Sequence, residues 1–181
     1  MTYEMICAGF GGQGVLTAGL ILIHAAASQD LFVSWSPSYG SEMRGGTANC
    51  NVVLSDEEIG SPYPNRLDIL LAMNDPSVGK FQEMVRAGGK IFVNSSIVRQ
   101  DRIYPKGIQV FEIPATELAN SLQNPKGANI VMLGALIRVT ELIPKDVFMG
   151  EIEKYFAAKG KNNPRNAECF LTGYEQVKEK V

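Results

Sequence analysis

The stretch Tyr3-Glu4-Met5-Ile6-Cys7-Ala8-Gly9-Phe10-Gly11-Gly12-Gln13-Gly14-Val15 decides how this chain is read. Tyr3 to Ala8 have strand character, Gly9 to Gly14 form a glycine-rich turn, and Val15 to Ala27 continue as an apolar helix. Gly9, Gly11 and Gly14 fit the G-x-G-x-x-G spacing, in which one glycine makes a tight turn, another admits a phosphate to the backbone, and the last packs helix on strand. Free N–H groups at the helix start and the helix dipole then make a site for an anion. Glycine loops also serve as bare β-to-α connections, and spacing alone does not separate the two uses.

A nicotinamide dinucleotide fits this beginning poorly. Such folds place an Asp or Glu roughly 20 residues past the loop, at the tip of the second strand, to hold the ribose. Here the second strand reads Leu31 to Trp35 and runs into Ser36-Pro37-Ser38-Tyr39-Gly40, with no acid at its tip. Asp30 precedes the strand and reads as a solvated turn residue; Glu42 comes after the turn. An NAD-dependent reductase is disfavoured on this ground.

Moving outward, Ala48 to Ser55 reads as a strand, and Leu67 to Met73 is a near-continuous apolar run of the kind a parallel strand covered on both faces shows. Asn74 or Asp75 caps a helix opened by Pro76, which carries Val78, Phe81, Met84 and Val85 and is stopped by Gly88-Gly89. Strands follow at Lys90 to Asn94 and Ile108 to Ile113, and a helix at Thr116 to Gln123. Asn129 to Leu142 is apolar nearly all round, so that helix is buried, either in the domain's own core or against another subunit. Pro144 begins another helix ended by Gly160, and a last helix spans Asn166 to Glu179.

Strands alternating with helices predict an α/β fold: one Rossmann-like, three-layer domain over residues 1–181, with a mostly parallel sheet and helices on both faces. Ligands of such sheets bind beyond the carboxyl ends of the strands. That rim would hold Gly9 to Gly14, Ser36 to Gly46, Asn74 and the Asn94-Ser95-Ser96 turn.

Composition narrows the function. With 17 Lys and Arg against 19 Asp and Glu, no broad basic surface for nucleic acid is implied. Cys7, Cys50 and Cys169 lie far apart, without zinc or iron–sulfur spacing, and suit a reduced, cytoplasmic chain. Val15 to Ala27 is too short to span a membrane, and no basic leader precedes it. The single histidine, His24, falls within the first helix, where it reads as a structural residue, so histidine-dependent triads and metal sites are not encoded. The loop Ser38 to Thr47 offers hydroxyls and one guanidinium, suited to a phosphate or carboxylate; equally, Arg44 could pair with Glu42. The chain presents a ligand rim without catalytic machinery.

Three segments carry a resemblance: Gly9-Phe10-Gly11-Gly12-Gln13-Gly14-Val15, Pro37-Ser38-Tyr39-Gly40-Ser41-Glu42-Met43-Arg44-Gly45-Gly46-Thr47-Ala48, and Ala128-Asn129-Ile130-Val131-Met132-Leu133-Gly134-Ala135. With them the chain resembles, over essentially its whole length, the gamma subunit of 2-oxoacid:ferredoxin oxidoreductases, most closely that acting on 2-oxoglutarate. The resemblance implies a part in converting a 2-oxoacid and coenzyme A to acyl-coenzyme A and CO2, with electrons passed to ferredoxin. It implies that thiamine diphosphate, Mg and iron–sulfur clusters sit on partner alpha and beta subunits, with or without a delta subunit, while this chain helps hold coenzyme A. Gly11, Gly12, Gln13 and Gly14 would meet the pyrophosphate, and Ser38, Ser41 and Arg44 another phosphate or the pantetheine arm. Asn74 and Asn129 would be further contacts. Neither nucleic acid nor membrane is an expected partner, and the isolated chain could be a homodimer. Branched-chain, pyruvate and indolepyruvate variants stay open, as does a free-standing nucleotide or acyl-coenzyme A binding protein. On the resemblance, Arg44→Ala in the assembled enzyme raises the apparent KM for coenzyme A more than that for the oxoacid. An unchanged value in steady-state kinetics would remove Arg44 from the ligand site.

Overall fold

The computed structural model describes residues 1–39 and 46–180. In chain order its strands are β1 (Thr2–Phe10), β2 (Phe32–Tyr39), β3 (Thr47–Ser55), β4 (Leu67–Ala72), β5 (Val85–Asn94), β6 (Gln109–Ile113) and β7 (Lys178–Glu179). Its helices are α1 (Val15–Ala27), α2 (Asp75–Phe81), α3 (Ala115–Ser121), α4 (Ala128–Thr140), α5 (Lys145–Ala158) and α6 (Arg165–Gln176). The strands form one sheet in the order β2-β3-β1-β4-β5-β6-β7.

The pairs β1/β4, β4/β5 and β5/β6 are parallel, whereas β3 lies antiparallel between β1 and β2, and β7 is antiparallel to β6. Both β1 and β2 oppose β3, so they point the same way, and β1, β2, β4, β5 and β6 bring their carboxyl ends to one rim. The α/β expectation with helices on both faces holds. The hairpin of β2 and β3 departs from simple strand–helix alternation, because the next described element after β2 is its antiparallel neighbour β3. Pro37 lies within β2, an edge strand, where a missing N–H is tolerated.

Alternation along the strands splits the core in two. Met5, Cys7, Val52, Leu71, Phe92 and Phe111 face a layer of α1, α3, α4, α5 and α6. Ile6, Ala8, Leu70, Ala72, Ile91 and Val93 face the other way, under Val78 and Phe81 of α2 and Val98 of the following loop. The second layer is thin.

Three local expectations need correction. The helix opened by Pro76 ends at Phe81, passes through a 3₁₀ turn at Gln82–Met84 and gives way to β5 at Val85. Gly88-Gly89 therefore lies inside a strand, where the β4 ladder shifts register between Leu67 and Ile69; a Cβ on Gly89 would come within 2.8 Å of the Arg86 carbonyl. Sheet pairing of Val85 with Leu67 overrides a helical pattern that relied on spacing alone. At the other end α6 stops at Gln176, and Lys178–Glu179 adds β7 to the edge of β6.

The all-apolar helix α4 is covered within the chain itself. Every residue from Ala128 to Ile137 is buried, with α6 as its main neighbour. Gly134 and Gly173 make this packing possible: a Cβ on Gly134 would fall 2.0 Å from the Phe170 carbonyl oxygen, and one on Gly173 would fall 1.8 Å from that of Val131. The backbones touch where side chains would otherwise separate them.

On the thin side, Asn74 caps α2 by accepting the Ser77 N–H at 2.9 Å, and Arg102 donates from Nε to Asp75 Oδ1 at 2.8 Å. That ion pair fastens the loop after β5 to the start of α2. The Arg102 hydrogen bond holds the Asp75 carboxyl down at about 2, from an ordinary 3.8.

Two outcomes follow from this packing. Gly173→Ala forces α4 and α6 apart and lowers stability by about 2–4 kcal/mol despite alanine's better helix propensity. A thermal midpoint equal to the parent's would mean the helices do not meet at this spacing. Asp75→Asn costs about 1–2 kcal/mol at neutral pH. A depressed carboxylate stabilises the fold only above its unfolded pKa, so the gap between variant and parent in urea unfolding closes as the pH falls from about 4 to 2. A gap independent of pH would exclude the ion pair as its cause.

Candidate functional site

The glycine loop closes on itself before α1 begins. Gln13 N–H donates to the Phe10 carbonyl at 3.1 Å, and Gly12 and Gly14 take φ of +90° and +74°, conformations that a side chain would strain. Gly14 is the N-cap of α1 and supplies no side-chain acceptor; the first turn holds no acid. The first backbone amides of this helix therefore lack intrahelical partners and carry the positive end of the dipole.

The four glycines divide by their surroundings. A Cβ on Gly9 would meet Gln13 Oε1 at 2.7 Å and Met73 Cβ at 2.9 Å, and one on Gly14 would meet Asn129 Nδ2 at 2.4 Å. These two permit close internal packing. A Cβ on Gly12 would meet nothing within 4 Å, and one on Gly11 only the Gly46 carbonyl at 3.9 Å. The outer side of the loop is open at Gly11 and Gly12, which are exposed.

Gln13, Asn74 and Asn129, all candidates from sequence, are at the loop but turned into the protein. Gln13 Oε1 accepts from the Phe10 N–H at 2.6 Å and from Asn74 Nδ2 at 3.2 Å, while its Nε2 donates to the Met73 carbonyl at 3.3 Å. Asn129 Nδ2 donates to the Gly14 carbonyl at 3.0 Å, and its Oδ1 accepts from Ile130 N–H. Asn74 is fully buried and Asn129 nearly so. These three amides shape the loop, their side chains spent on internal hydrogen bonds.

Ser38 stands exposed near the end of β2, paired with Asn49 of β3, which pairs with Ala8 of β1. The Gly11 N–H donates to the Gly46 carbonyl at 2.9 Å, joining the hairpin to the glycine loop. Ser41 and Arg44 lie outside the described residues. Asn94, expected on the same rim, is buried and spends its side chain on Thr116 of α3. Sequence reasoning passed over Asn49 and Asn51, whose only signal was two amides alternating in a strand otherwise rich in apolar residues.

Beneath the loop, Cys7 and Cys50 are register partners in β1 and β3 and fully buried. The hydrogen bond with Cys50, and then burial, push the Cys7 thiol well above its ordinary range, which keeps it neutral and inert. Among the described residues no group of three or more His, Cys, Asp or Glu is placed to hold a metal ion. His24 is exposed near the end of α1, its ring centroid 6.0 Å from that of Tyr155, away from the rim. The arrangement suits binding and orienting an oxyanion.

Comparison with known proteins places the chain in a family. The family described as pyruvate ferredoxin/flavodoxin oxidoreductase matches residues 4–176. The ketoisovalerate oxidoreductase subunit VorA of Methanothermobacter thermautotrophicus is 42% identical over 130 residues, which cover 72% of this chain and 27% of VorA. The chain thus spans about a quarter of that relative's length. The 2-oxoglutarate synthase subunit KorC of Methanocaldococcus jannaschii is 38% identical over 138 residues, covering 75% of this chain and 74% of KorC. In three dimensions the gamma subunit of a keto/oxoacid ferredoxin oxidoreductase from Geobacter sulfurreducens superposes with a TM-score of 0.82 at 27% identity, covering 97% of this chain and 96% of the other. The chain therefore belongs to the pyruvate ferredoxin/flavodoxin oxidoreductase family, as a chain of its gamma-subunit type.

Proposed function

We propose that this chain is the non-catalytic gamma subunit of a 2-oxoacid:ferredoxin oxidoreductase, with 2-oxoglutarate the first candidate substrate, and that it holds coenzyme A by its pyrophosphate. The observation that carries the reading is the first turn of α1, whose N–H groups lack intrahelical partners and begin beside a loop that is open at Gly11 and Gly12. Those amides would receive the pyrophosphate oxygens, with Ser38, Ser41 and Arg44 toward another phosphate or the pantetheine arm.

Coenzyme A, when bound, supplies the thiol that accepts the acyl group. The part of this chain is to bind and orient it: Gln13, Asn74 and Asn129 keep the amides aligned before the ligand arrives, so little ordering remains to be done on binding. Thiamine diphosphate, Mg and iron–sulfur clusters belong to the alpha and beta subunits in this reading, and ferredoxin is met through the complex. The name of KorC favours 2-oxoglutarate, and that of VorA keeps a branched-chain oxoacid in play.

Affinity purification of the chain from its own cells should bring down larger subunits and coenzyme A-dependent 2-oxoglutarate oxidation, read with a viologen dye. In that complex Gly12→Asp sets a carboxylate against the phosphate, whereas Gly12→Asn has the same shape and backbone strain without the charge. The Asp variant should raise the KM for coenzyme A roughly ten-fold over the Asn variant and leave the KM for the oxoacid alone. Equal values for the two variants would remove the anion from this loop. An inactive chain purified alone with a bound nucleotide would replace the subunit reading with a free-standing binder.

A further inference from the structure

The sheet guards one of its two edges and leaves the other bare. At the guarded edge β7 is two residues long, and both, Lys178 and Glu179, are charged, which gives an outside strand little to pair with. At the other edge β2 runs from Phe32 to Tyr39 without one charged side chain. Its ladder with β3 is continuous from Phe32 opposite Ser55 to Tyr39 opposite Ala48, with no bulge to turn the edge away. Among the described residues β3 and α1 are its main neighbours, and no strand lies on its outer side. A row of backbone N–H and C=O groups about 26 Å long, at ~3.3 Å per residue, therefore faces outward.

The side chains of β2 sort by face. Val33 and Trp35 pack against the helical layer, so Phe32, Ser34 and Ser36 take the thin side of the sheet. No residue from Phe32 to Tyr39 is buried, and Phe32 is 48% exposed. Phe32, Val33 and Trp35 give the strand the composition of a sheet interior, yet this chain supplies a neighbour on one side only. Pro37 is its single blunting device, and it stands near the far end, leaving Phe32 to Ser36 unguarded.

This stretch is suited to a copy of itself. A two-fold axis normal to the sheet lays β2 antiparallel on the β2 of a second chain and keeps helical face beside helical face. Because Pro37 has no N–H to donate, the ladder centres on the residues before it. With Ser34 at the axis opposite its own copy, Val33 of one chain faces Trp35 of the other, and Phe32 faces Ser36; Pro37 falls outside, opposite Leu31. A β-branched residue against an aromatic one is a favourable cross-strand pair, and serine hydroxyls meet at the axis. Any charge near the axis would meet its own sign in such a pairing, and the strand has none. A charged strand from another protein would find no opposite charge here to answer its own.

We propose that the β2 edge is the two-fold interface of a homodimer, in which the seven-stranded sheets of two chains join into one continuous sheet. The axis reverses strand direction, so the two glycine loops come to opposite rims and neither obstructs the other. The proposal is independent of the coenzyme A reading. It is tested on the full chain by sedimentation equilibrium and by the fluorescence of Trp35, the single tryptophan, which lies in β2 itself. At ~50 µM the mass should be twice that of one chain, and on dilution Trp35 emission should change with the same midpoint as the mass. Ser34→Lys and Ser34→Asp each set like charges together at the axis and should weaken the dimer about ten-fold or more, with circular dichroism unchanged. Mixed in equal amounts, the two variants should pair with each other again, which a folding defect would not allow. A parent that stays monomeric at ~50 µM, or a dimer indifferent to both charges, would overturn the proposal. Variants that fail to recover on mixing would do the same. Trp35 emission that changes only when larger subunits from the same cells are added would also overturn self-pairing, making the edge a contact with a different chain.

Discussion

The fold hangs on the way one side chain, Gln13, satisfies the backbone around it. Its carbonyl oxygen takes the Phe10 N–H left over where β1 ends, and its amide reaches the carbonyl of Met73 where β4 ends. The two central strands are thereby tied at the rim, and Asn74, also bonded to Gln13, carries the tie into the cap of α2. Asn129 does the same from the opposite layer, binding the Gly14 carbonyl at the start of α1. Each bond alone is worth about 1 kcal/mol, but a buried amide or carbonyl left open here would cost more, so the four elements are fixed together or not at all. The close contacts at Gly9 and Gly14 are the steric side of the same constraint: only glycine leaves room for Gln13 and Asn129 to reach their partners.

That constraint explains what could be seen in the sequence. The strand, glycine loop and first helix were legible because each residue type has one physical use there: apolar strand, turn glycine, helix-forming alanine and leucine. Helix α1 came out at Val15–Ala27, as its pattern required. The run at β4 and the all-round apolar α4 were legible for a related reason, since burial on every side leaves no polar face. The loop itself was half legible. Its position announced an anion site, but a linear pattern could not show that Gln13, Asn74 and Asn129 point inward, because their partners Met73 and Gly14 lie 60 and 115 residues away along the chain.

The misread elements share a different cause. Gly88-Gly89 stops a helix by local rules and instead lets β5 bend past β4, since the ladder from Leu67 rewards pairing at Val85. Likewise Lys178–Glu179 has no strand propensity and becomes β7 because β6 offers an unpaired edge. The hairpin of β2 and β3 falls in the same class. Its antiparallel insertion beside β1 is set by the Gly46 to Gly11 bond and the long β1/β3 ladder, neither visible in local spacing. Where neighbours in space decide, residue pattern loses.

The lopsided layers bear on function as well as on packing. Five helices on one face, with α4 and α6 in backbone contact, make that side rigid, and the first-turn amides of α1 grow out of it. The other face is held by α2, seven residues long and fastened through the Asp75–Arg102 pair. The first turn of α1 offers backbone N–H groups, which do not titrate, and carries no acid that would compete with an anion. Its affinity should therefore follow the charge on the ligand and not the protonation of the protein. That property suits the role proposed for this chain, a subunit that presents coenzyme A to chemistry performed by another chain.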